Sequence, residues 1–405
     1  MTSFERYAGR DPAPGSLGEL FAIVRSGAAV SRSSLARTLG VAPSTVSLRV
    51  EALRGLGLIT EEGVEDSRGG RRARRLRLVP DAGLVVAVDI GARHANLALA
   101  DLTGEQRLSR QMSTPLPADP AEFANRLWDE IRDGFQTIGV DVAKLWAIAI
   151  GVPAPVAFPT GRLAMPTFMP AWHDTDLSSL LAAYTTVPVL IENDANLLAI
   201  AESALPDRPP VDDLLAVKLG TRIGCGIITA GRLHRGVSGA AGEIGHTAAD
   251  GEAVISCTCS IPNCAESVAS GGAITAVLRA RGYDVGGPAD VVALSQTPDP
   301  VVTEVLREAG SRIGKVLSSA ANLLNPREIV LGGTMAGSAL LVAAIRAELF
   351  QRCLPLVAND LEVRAAQSPS TVGIRGATQV AIEEMLAPER IDAMARAHAA
   401  GAGKG

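Results

Sequence analysis

The sequence predicts a small helical head with a β-hairpin over residues 1–80, followed by a larger α/β body of two lobes. Three observations predict this division. The 405 residues are too many for one ordinary domain and suit two or three. Apolar residues recur at helical spacing up to residue 54, whereas from Leu84 onward short apolar strands alternate with helical segments. The charge divides at the same place, because residues 1–80 carry 13 arginines against 8 acidic residues, a net charge of +5, and the remainder carries −10.

The composition excludes several classes of protein. Apolar residues make up 47% and charged residues 20%, which is typical of a folded chain rather than a disordered one. The longest apolar candidate for a membrane span, Leu145 to Phe158, is too short and contains two prolines. The first ten residues lack the apolar core of a signal peptide. We therefore expect a cytoplasmic protein with no membrane partner.

The head has the pattern of a helix-turn-helix. Leu17, Leu20, Phe21 and Val24 share one face of a first helix that Gly27 ends. Ser31 can cap a second helix, and a turn at residues 40–43 separates it from a third helix over about 44–54. In this motif the last helix enters the major groove of DNA.

Double-stranded DNA is the partner that the head predicts. A strand at 58–60 and an arginine-rich hairpin at 67–78, with a Gly-Gly tip, predict a wing that contacts phosphates or the minor groove. The alternative is a three-helix packing or dimerisation module with a solvated arginine run. The candidate DNA-binding residues are Ser44, Thr45, Ser47 and Arg49 on the third helix, and Arg68, Arg71 and Arg72 on the wing.

The body alternates strands and helices, which predicts mixed sheets with helical cover and a ligand cleft between two lobes. Long helices are predicted at 120–139, 302–324 and 376–386, and Gly310 and Gly314 would permit close packing between lobes or subunits. Strands are predicted at 84–91, 95–100, 106–113, 145–150, 187–191, 214–219, 225–229 and 328–331.

Three cysteines form a C-x-C-x4-C cluster, Cys257, Cys259 and Cys264, and His246 lies eleven residues upstream. One imidazole and three thiolates make a closed tetrahedral set, which predicts one structural Zn²⁺ per chain. Free thiols or a redox pair are the alternatives. Cys225 and Cys353 lie outside the cluster and are expected to be small core residues.

Several motifs, in this order and spacing, resemble the ROK family (repressor, open reading frame, kinase): Asp89-Ile90-Gly91, Gly151 to Val156, Glu192-Asn193-Asp194-Ala195-Asn196, Gly220 to Gly226, Gly239 to His246, Cys257 to Glu266, and Leu331-Gly332-Gly333. The resemblance covers nearly the whole chain. It implies an actin-like (ribonuclease H-like), two-lobed sugar-kinase fold, and the winged helix-turn-helix head implies the transcriptional-regulator branch.

The resemblance also implies four segments. They are 1–80 for the head, 81–195 for the N-terminal lobe, 196–375 for the C-terminal lobe with the zinc loop and dimer helices, and 376–405 for a helix that returns to the first lobe and a flexible tail.

The resemblance implies a sugar site and supports the zinc site. Asp194 would be the catalytic base of a kinase, and His246 would hold metal with one ring nitrogen and sugar with the other. Taken one at a time, these residues are as well explained by a helix cap or a buried ion pair. Ser260 and Asn263 stand where the family usually has glycine, which bears on the shape of the zinc loop. The implied sugar-binding residues are Gly151, Pro153, Asn193, Asp194, Glu243, His246 and Glu266.

The two phosphate loops depart from the family pattern. Arg93 replaces a threonine in the first loop, and Arg222 replaces a glycine in the second, where a side chain hinders the approach of backbone N–H groups to phosphate. An arginine could instead hold phosphate. ATP and Mg²⁺ binding is therefore doubtful, and we expect no enzyme activity. The nucleotide-site candidates are Asp89, Gly91, Gly220, Thr221, Gly332 and Gly333.

Together these features predict a sugar-responsive DNA-binding regulator, a repressor of carbohydrate-related genes, that acts as a homodimer or tetramer. The alternative is an ATP-dependent hexose or amino-sugar kinase that carries a DNA-binding head. A third possibility is a regulator that responds to a protein partner rather than to sugar.

Overall fold

The fold is that of a computed structural model, which describes residues 13–28, 30–62, 74–91, 95–112, 119–164, 170–368 and 370–402. Within these ranges, no helix is both long enough and apolar enough to cross a membrane.

The head is a three-helix unit with a two-stranded antiparallel hairpin. The Ser16 and Ser31 hydroxyls cap the first two helices, and Gly27 and Gly40 end them at positive φ. The predicted apolar stripes are buried in its core. Its elements are α1 (Leu17–Ser26), α2 (Arg32–Leu39), α3 (Pro43–Gly55), β1 (Ile59–Glu62) and β2 (Arg75–Leu78).

The first lobe is built on a five-stranded sheet whose order is β5-β4-β3-β6-β9. The first three strands run antiparallel to their neighbours, and β6 and β9 add in parallel. Its strands are β3 (Leu84–Ile90), β4 (Ala95–Asp101), β5 (Gln106–Met112), β6 (Leu145–Val152) and β9 (Val189–Asn193), with a small hairpin of β7 (Val156–Ala157) and β8 (Arg162–Leu163), and helices α4 (Pro120–Thr137) and α5 (Leu177–Leu181).

The second lobe repeats this topology. Its sheet has the order β12-β11-β10-β13-β14, again with three antiparallel strands followed by two parallel ones. Its strands are β10 (Leu214–Leu219), β11 (Ile223–Thr229), β12 (Arg232–Leu233), β13 (Glu328–Gly332) and β14 (Glu362–Ala365), and its helices are α7 (Ala265–Ala269), α8 (Gly271–Ala280), α9 (Pro288–Leu294), α10 (Pro300–Leu324), α11 (Ala339–Arg352) and α12 (Pro355–Ala358).

The duplicated sheet is the two-lobed α/β fold that the sequence predicts. The predicted strands are present with ends that differ by a few residues. Gly310 and Gly314 do permit close helix contact, but within one chain: a Cβ on either would lie 2.6 Å from a side chain of α11.

Two helices join the lobes: α6 (Asp194–Ser203) and α13 (Val372–Met385). Helix α6 starts at the end of β9 in the first lobe and packs on β10 and β11 of the second. Helix α13 leaves the second lobe and packs on β3 and β6 of the first. The two helices touch closely, because a Cβ on Gly376 would collide with the Leu197 carbonyl. A change in the angle between the lobes must therefore move this helix pair.

The chain after α13 differs from the expected flexible tail. It forms α14 (Pro388–Ala402), which packs against α1 of the head. The Gly18 N–H donates to Asp392 Oδ1 at 2.9 Å, and a Cβ on Gly18 would collide with the Pro388 carbonyl. One apolar cluster contains head residues, the apolar face of α13 and the fully buried Ile391. The head and the body therefore share a core.

Candidate functional site

Asn193 and Asp194 stand at the junction of β9 and α6. The Asn193 side chain accepts from Ala195 N at 2.9 Å and from Asn196 N at 3.3 Å, and its Nδ2 donates to the Ala154 carbonyl at 3.0 Å. Asn193 is therefore a helix cap, as the local alternative predicts. The cap also fixes Asp194 in the first turn of α6, where the N-terminal end of the helix favours an ionised carboxylate.

Glu192 supports this junction from below. Its Oε1 accepts from Asn193 N at 2.9 Å and from Asn196 Nδ2 at 2.8 Å. Its Oε2 accepts two bonds from Arg235 of the second lobe, at 2.9 and 2.6 Å. Both side chains of the ion pair are largely buried. Both Arg235 nitrogens thus donate to one Glu192 oxygen, and this ion pair links the lobes next to Asn193 and Asp194.

Glu243 and His246 lie on the turn that follows β12. A Cβ on Gly242, which has a φ of 93°, would collide with the Cys225 carbonyl, so only glycine lets the turn pass β11 this closely. Glu243 Oε2 lies 3.7 Å from His246 Nε2. Burial, and then the Asp194 carboxylate, raise the pKa of Glu243.

Glu266 lies on α7 with its side chain only 1% exposed. Its Oε2 accepts from Ile223 N at 2.8 Å, while its Oε1 has no hydrogen-bond partner among the described residues. Burial raises the pKa of Glu266 to about 7, against the opposing effects of the Ile223 N–H and the Arg222 charge. Glu266 Oε1 faces the Arg222 guanidinium, whose Nη1 lies 3.4 Å away, and it retains the capacity to accept a hydrogen bond from a ligand hydroxyl.

Gly151 and Pro153 form the remaining wall. Gly151 lies in β6 between Asp89 of β3 and Glu192 of β9, and a Cβ there would collide with Leu197 of α6. Pro153 directly precedes Ala154, whose carbonyl receives the Asn193 amide. The residues of the expected sugar site thus come from both lobes and converge where α6 begins.

His246, Cys257, Cys259 and Cys264 place one ligand atom each within 4.8 Å of one another, so the group could hold a metal ion. His246 Nδ1 faces Cys257 Sγ at 3.5 Å, which leaves Nε2 towards Glu243. Burial and the Arg222 charge lower the pKa of His246, which favours the neutral, metal-binding imidazole.

Ser260 and Asn263, which stand where the ROK pattern usually has glycine, lie in the loop of this candidate metal group. Ser260 and Asn263 adopt φ values of 61° and 50°, the left-handed region that favours glycine. Asparagine tolerates this region best, and the Asn263 side chain also accepts from Ala253 N at 3.0 Å. The loop therefore keeps the backbone conformation that glycine would adopt. Cys225 and Cys353 are buried in the core of the second lobe.

The nucleotide candidates gather at three strand ends. Asp89 and Gly91 end β3, Gly220 and Thr221 follow β10, and Gly332 and Gly333 end the neighbouring β13. In the second loop, Gly220 N donates to the Arg222 carbonyl at 2.9 Å, and Ile223 N donates to Glu266. Two N–H groups that could cradle a phosphate are thus occupied.

Arg222 turns away from a phosphate role. Its Nη1 lies 3.4 Å from Glu266 Oε1 and 3.9 Å from Cys257 Sγ. The guanidinium therefore ties the second loop to the sugar and metal groups. Arg93 of the first loop lies outside the described residues.

The DNA-binding candidates divide into three groups. Ser44 is exposed on α3, and Thr45 and Ser47 are half-buried beside it. Arg49 is half-buried: its guanidinium lies beside Gly15, and its Nη1 is buried without a hydrogen-bond partner among the described residues, so its contact with DNA stays a prediction. Arg68, Arg71 and Arg72 lie outside the described residues, between β1 and β2.

Sequence reasoning missed two functional candidates. Leu48 is 74% exposed on the outer face of α3, although large apolar residues are usually buried. Lys218 Nζ lies 2.5 Å from Asp194 Oδ2. The signal for Lys218 was visible, because it is the one charged residue in the strand sequence Leu-Leu-Ala-Val-Lys-Leu, directly before a phosphate loop.

Comparison with known proteins supports this fold. The chain is 28% identical over 358 residues to the xylose repressor of Bacillus subtilis (strain 168), covering 88% of this chain and 92% of that one. The crystal structure of a ROK family transcriptional regulator, a homologue of the E. coli MLC protein, matches with a TM-score of 0.77 at 24% identity and covers 93% and 98% of the two chains.

A ROK family glucokinase from Streptomyces griseus, in complex with glucose and AMPPNP, matches with a TM-score of 0.61 at 25% identity and covers 74% of this chain and 99% of its own. The kinase thus leaves about a quarter of this chain unmatched, whereas the regulator matches nearly all of it. The family model named ROK family matches residues 85–384. This chain belongs to the ROK family.

Proposed function

We propose that this protein is a sugar-responsive transcriptional repressor of carbohydrate-related genes. The proposal rests on one observation. A winged helix-turn-helix head with an exposed recognition helix shares an apolar core with the two-lobed body that contains the candidate sugar-binding residues. Relatives of similar length, including the xylose repressor of Bacillus subtilis and the repressor Mlc of Escherichia coli, are described by name as repressors. The head binds an operator in double-stranded DNA, with α3 in the major groove.

The ligand is a sugar or sugar derivative held between the lobes. Asp194, Glu243 and Glu266 supply acceptors for several hydroxyl groups, and the Asn193 cap and Glu192 hold the first of them in place. Such a cluster suits a polyol because each hydroxyl both donates and accepts. Gly151, Pro153 and His246 complete the wall.

The C-terminal helices transmit the effect of ligand binding from the lobes to the head. A ligand that contacts both lobes changes their angle, and α6 and α13 lie across the junction. Helix α14 follows α13 directly and holds the head through Gly18 and Ile391. A change in the angle between the lobes therefore turns the head. In a dimer this changes the distance between the two recognition helices, which must match the spacing of the two half-sites of the operator.

The metal group holds one structural Zn²⁺ per chain. One nitrogen and three sulfur donors form the closed set that zinc prefers, and the spacing of their ligand atoms fits one ion. Zinc would stabilise the loop that brings His246 and Glu266 to the sugar. The ion neighbours the ligand site and supplies no position for a reacting water.

The protein acts as a homodimer or tetramer in the cytoplasm, where the operator is. Exposed apolar side chains lie together on the second lobe at the ends of α10 and α11 and on α12, and a second copy would cover them. These residues are Leu323, Leu324, Phe350, Leu354 and Leu356.

The chain is not a working kinase. Arg222 is committed to Glu266 and Cys257, and the N–H groups of Gly220 and Ile223 are occupied. Phosphoryl transfer depends on positioning and charge stabilisation around the phosphates, which this loop no longer offers.

Genome-wide footprinting of the tagged protein tests the proposal, followed by operator binding with D-xylose, D-glucose and N-acetylglucosamine. We expect a defined operator near carbohydrate genes and a change in affinity with one sugar. Binding to no double-stranded DNA, together with sugar-dependent ATP consumption that disappears in Asp194→Asn, would establish the kinase instead. Tight operator binding without any sugar effect would favour control by a protein partner.

A further inference from the structure

Lys218 places an ammonium group inside the cleft at the end of β10. Its backbone pairs with Gly224 of β11 and with Gly332 of β13, so it stands where the phosphate loops begin. The side chain is 32% exposed, and its Nζ forms an ion pair with Asp194 at 2.5 Å. Lys218 is therefore a cation at the start of α6, inside the candidate site.

A second carboxylate faces the same ammonium. Asp89 ends β3 opposite Gly151, and a Cβ on Gly373 at the start of α13 would lie against the Asp89 carboxylate. Burial opposes the charge of Lys218, yet the carboxylates of Asp194 and Asp89 together raise the pKa of Lys218. The ammonium is thus paired with Asp194 of α6, and the Asp89 carboxylate of β3 also favours its charge.

In a phosphoryl-transfer site, divalent metal ions occupy this kind of position. They neutralise the phosphates beside the hydroxyl whose proton the base accepts, and carboxylates help to hold them. Here the group beside Asp194 is an ammonium on a short tether, so a metal–nucleotide does not fit without displacing it. The residues present therefore do not fit the divalent metal ion that a kinase would need at this position.

We propose that Lys218 is a tethered cation that takes the place of the divalent metal and lets the site recognise its ligand without a metal–nucleotide. Asp194, held in this ion pair, accepts a hydrogen bond from a ligand hydroxyl, and no metal–nucleotide is placed to receive that hydroxyl oxygen. Lys218 is thereby a specificity-determining residue. This inference rests on the proposed function only in taking the ligand to be a sugar or sugar derivative.

Mn²⁺ titration followed by electron paramagnetic resonance tests this inference on the zinc-loaded full-length chain. Wild type should bind no Mn²⁺ at the cleft. Lys218→Met and Lys218→Gln leave two carboxylates without their cation, and each should gain about one Mn²⁺ site with a dissociation constant on the order of 0.1–1 mM. The gain should disappear when Asp89→Asn or Asp194→Asn is added.

The control is Lys315→Met, which removes another lysine from an aspartate pair, with Asp250 at 2.8 Å on the surface. It should bind no more Mn²⁺ than wild type. Folded Lys218 variants that bind no additional Mn²⁺ would overturn the inference. A wild-type Mn²⁺ site that Asp194→Asn removes would overturn it equally, without any lysine variant. Neither sugar nor DNA is present, so this test and that of the proposed function can fail separately.

Discussion

Replacing Ile391 by alanine tests whether α14 joins the body to the head. Ile391 is 0% exposed and belongs to the apolar cluster that the head shares with α13. Removing a fully buried isoleucine side chain to its Cβ costs about 2–5 kcal/mol. The loss should fall on the docking of α14, because α1 is the element that α14 packs against most extensively.

The expected readout is faster hydrogen exchange in two segments that are far apart in sequence. A loss of about 2–5 kcal/mol raises the population of the undocked helix by about 30-fold or more, since each 1.4 kcal/mol is tenfold. Amides of 388–402 should exchange faster by that factor. The Gly18 N–H should follow, because its acceptor is Asp392 of the same helix.

Arg396→Ala is the matched control, because Arg396 is on the exposed face of α14 and alanine preserves the helix. It should leave exchange unchanged. The Ile391→Ala protein should still bind the operator but lose much of its response to sugar. Exchange within threefold of wild type, or fast exchange in α14 alone with α1 unaffected, would refute the idea that α14 holds the head.

Three further predictions concern the wing, the metal group and the lobe junction. The double variant Arg71→Ala/Arg72→Ala should reduce the slope of log operator affinity against log salt concentration by about 2. An unchanged slope would show that the wing does not contact the DNA. Cys257→Ser should lower the zinc content from about one ion per chain, and a zinc-free wild type that is fully folded contradicts the metal site. Arg235→Met leaves Glu192 as a buried charge and should cost about 3–5 kcal/mol in urea unfolding of the lobes. Adding Glu192→Gln should recover most of this loss, and no recovery would show that the pair does not act as a unit.

Local patterns were enough to predict the elements of the head. Ser31 and Gly27 mark helix ends because capping and positive φ depend on the residue itself and its immediate neighbours. The candidate metal group was predictable for a similar reason, since three of its four residues lie within eight positions. In both cases the interacting groups are close in sequence, and chain geometry brings them together.

Other contacts depend on segments that meet only after folding. Arg49 is a predicted DNA contact on the flank of α3, and only the structure shows that its guanidinium lies beside Gly15, because the segment before α1 passes this flank. Helix α14 has a weak apolar pattern, and its role rests on docking to α1 more than 360 residues away. Helical periodicity shows which face is apolar, but it does not show which partner covers it.

By itself the sequence determined the two-part architecture, the order of the site motifs and the four residues that could hold a metal, because these follow from residue type and short spacing. Only the tertiary structure decided where the charges of the cleft are paired. Arg222 could hold a phosphate or avoid it, and Lys218 could be an ordinary strand residue, until the ends of β3 and β10 and the start of α6 were brought together. Charge interactions depend on distance through space, and the two sheets set that distance only when they close on one another.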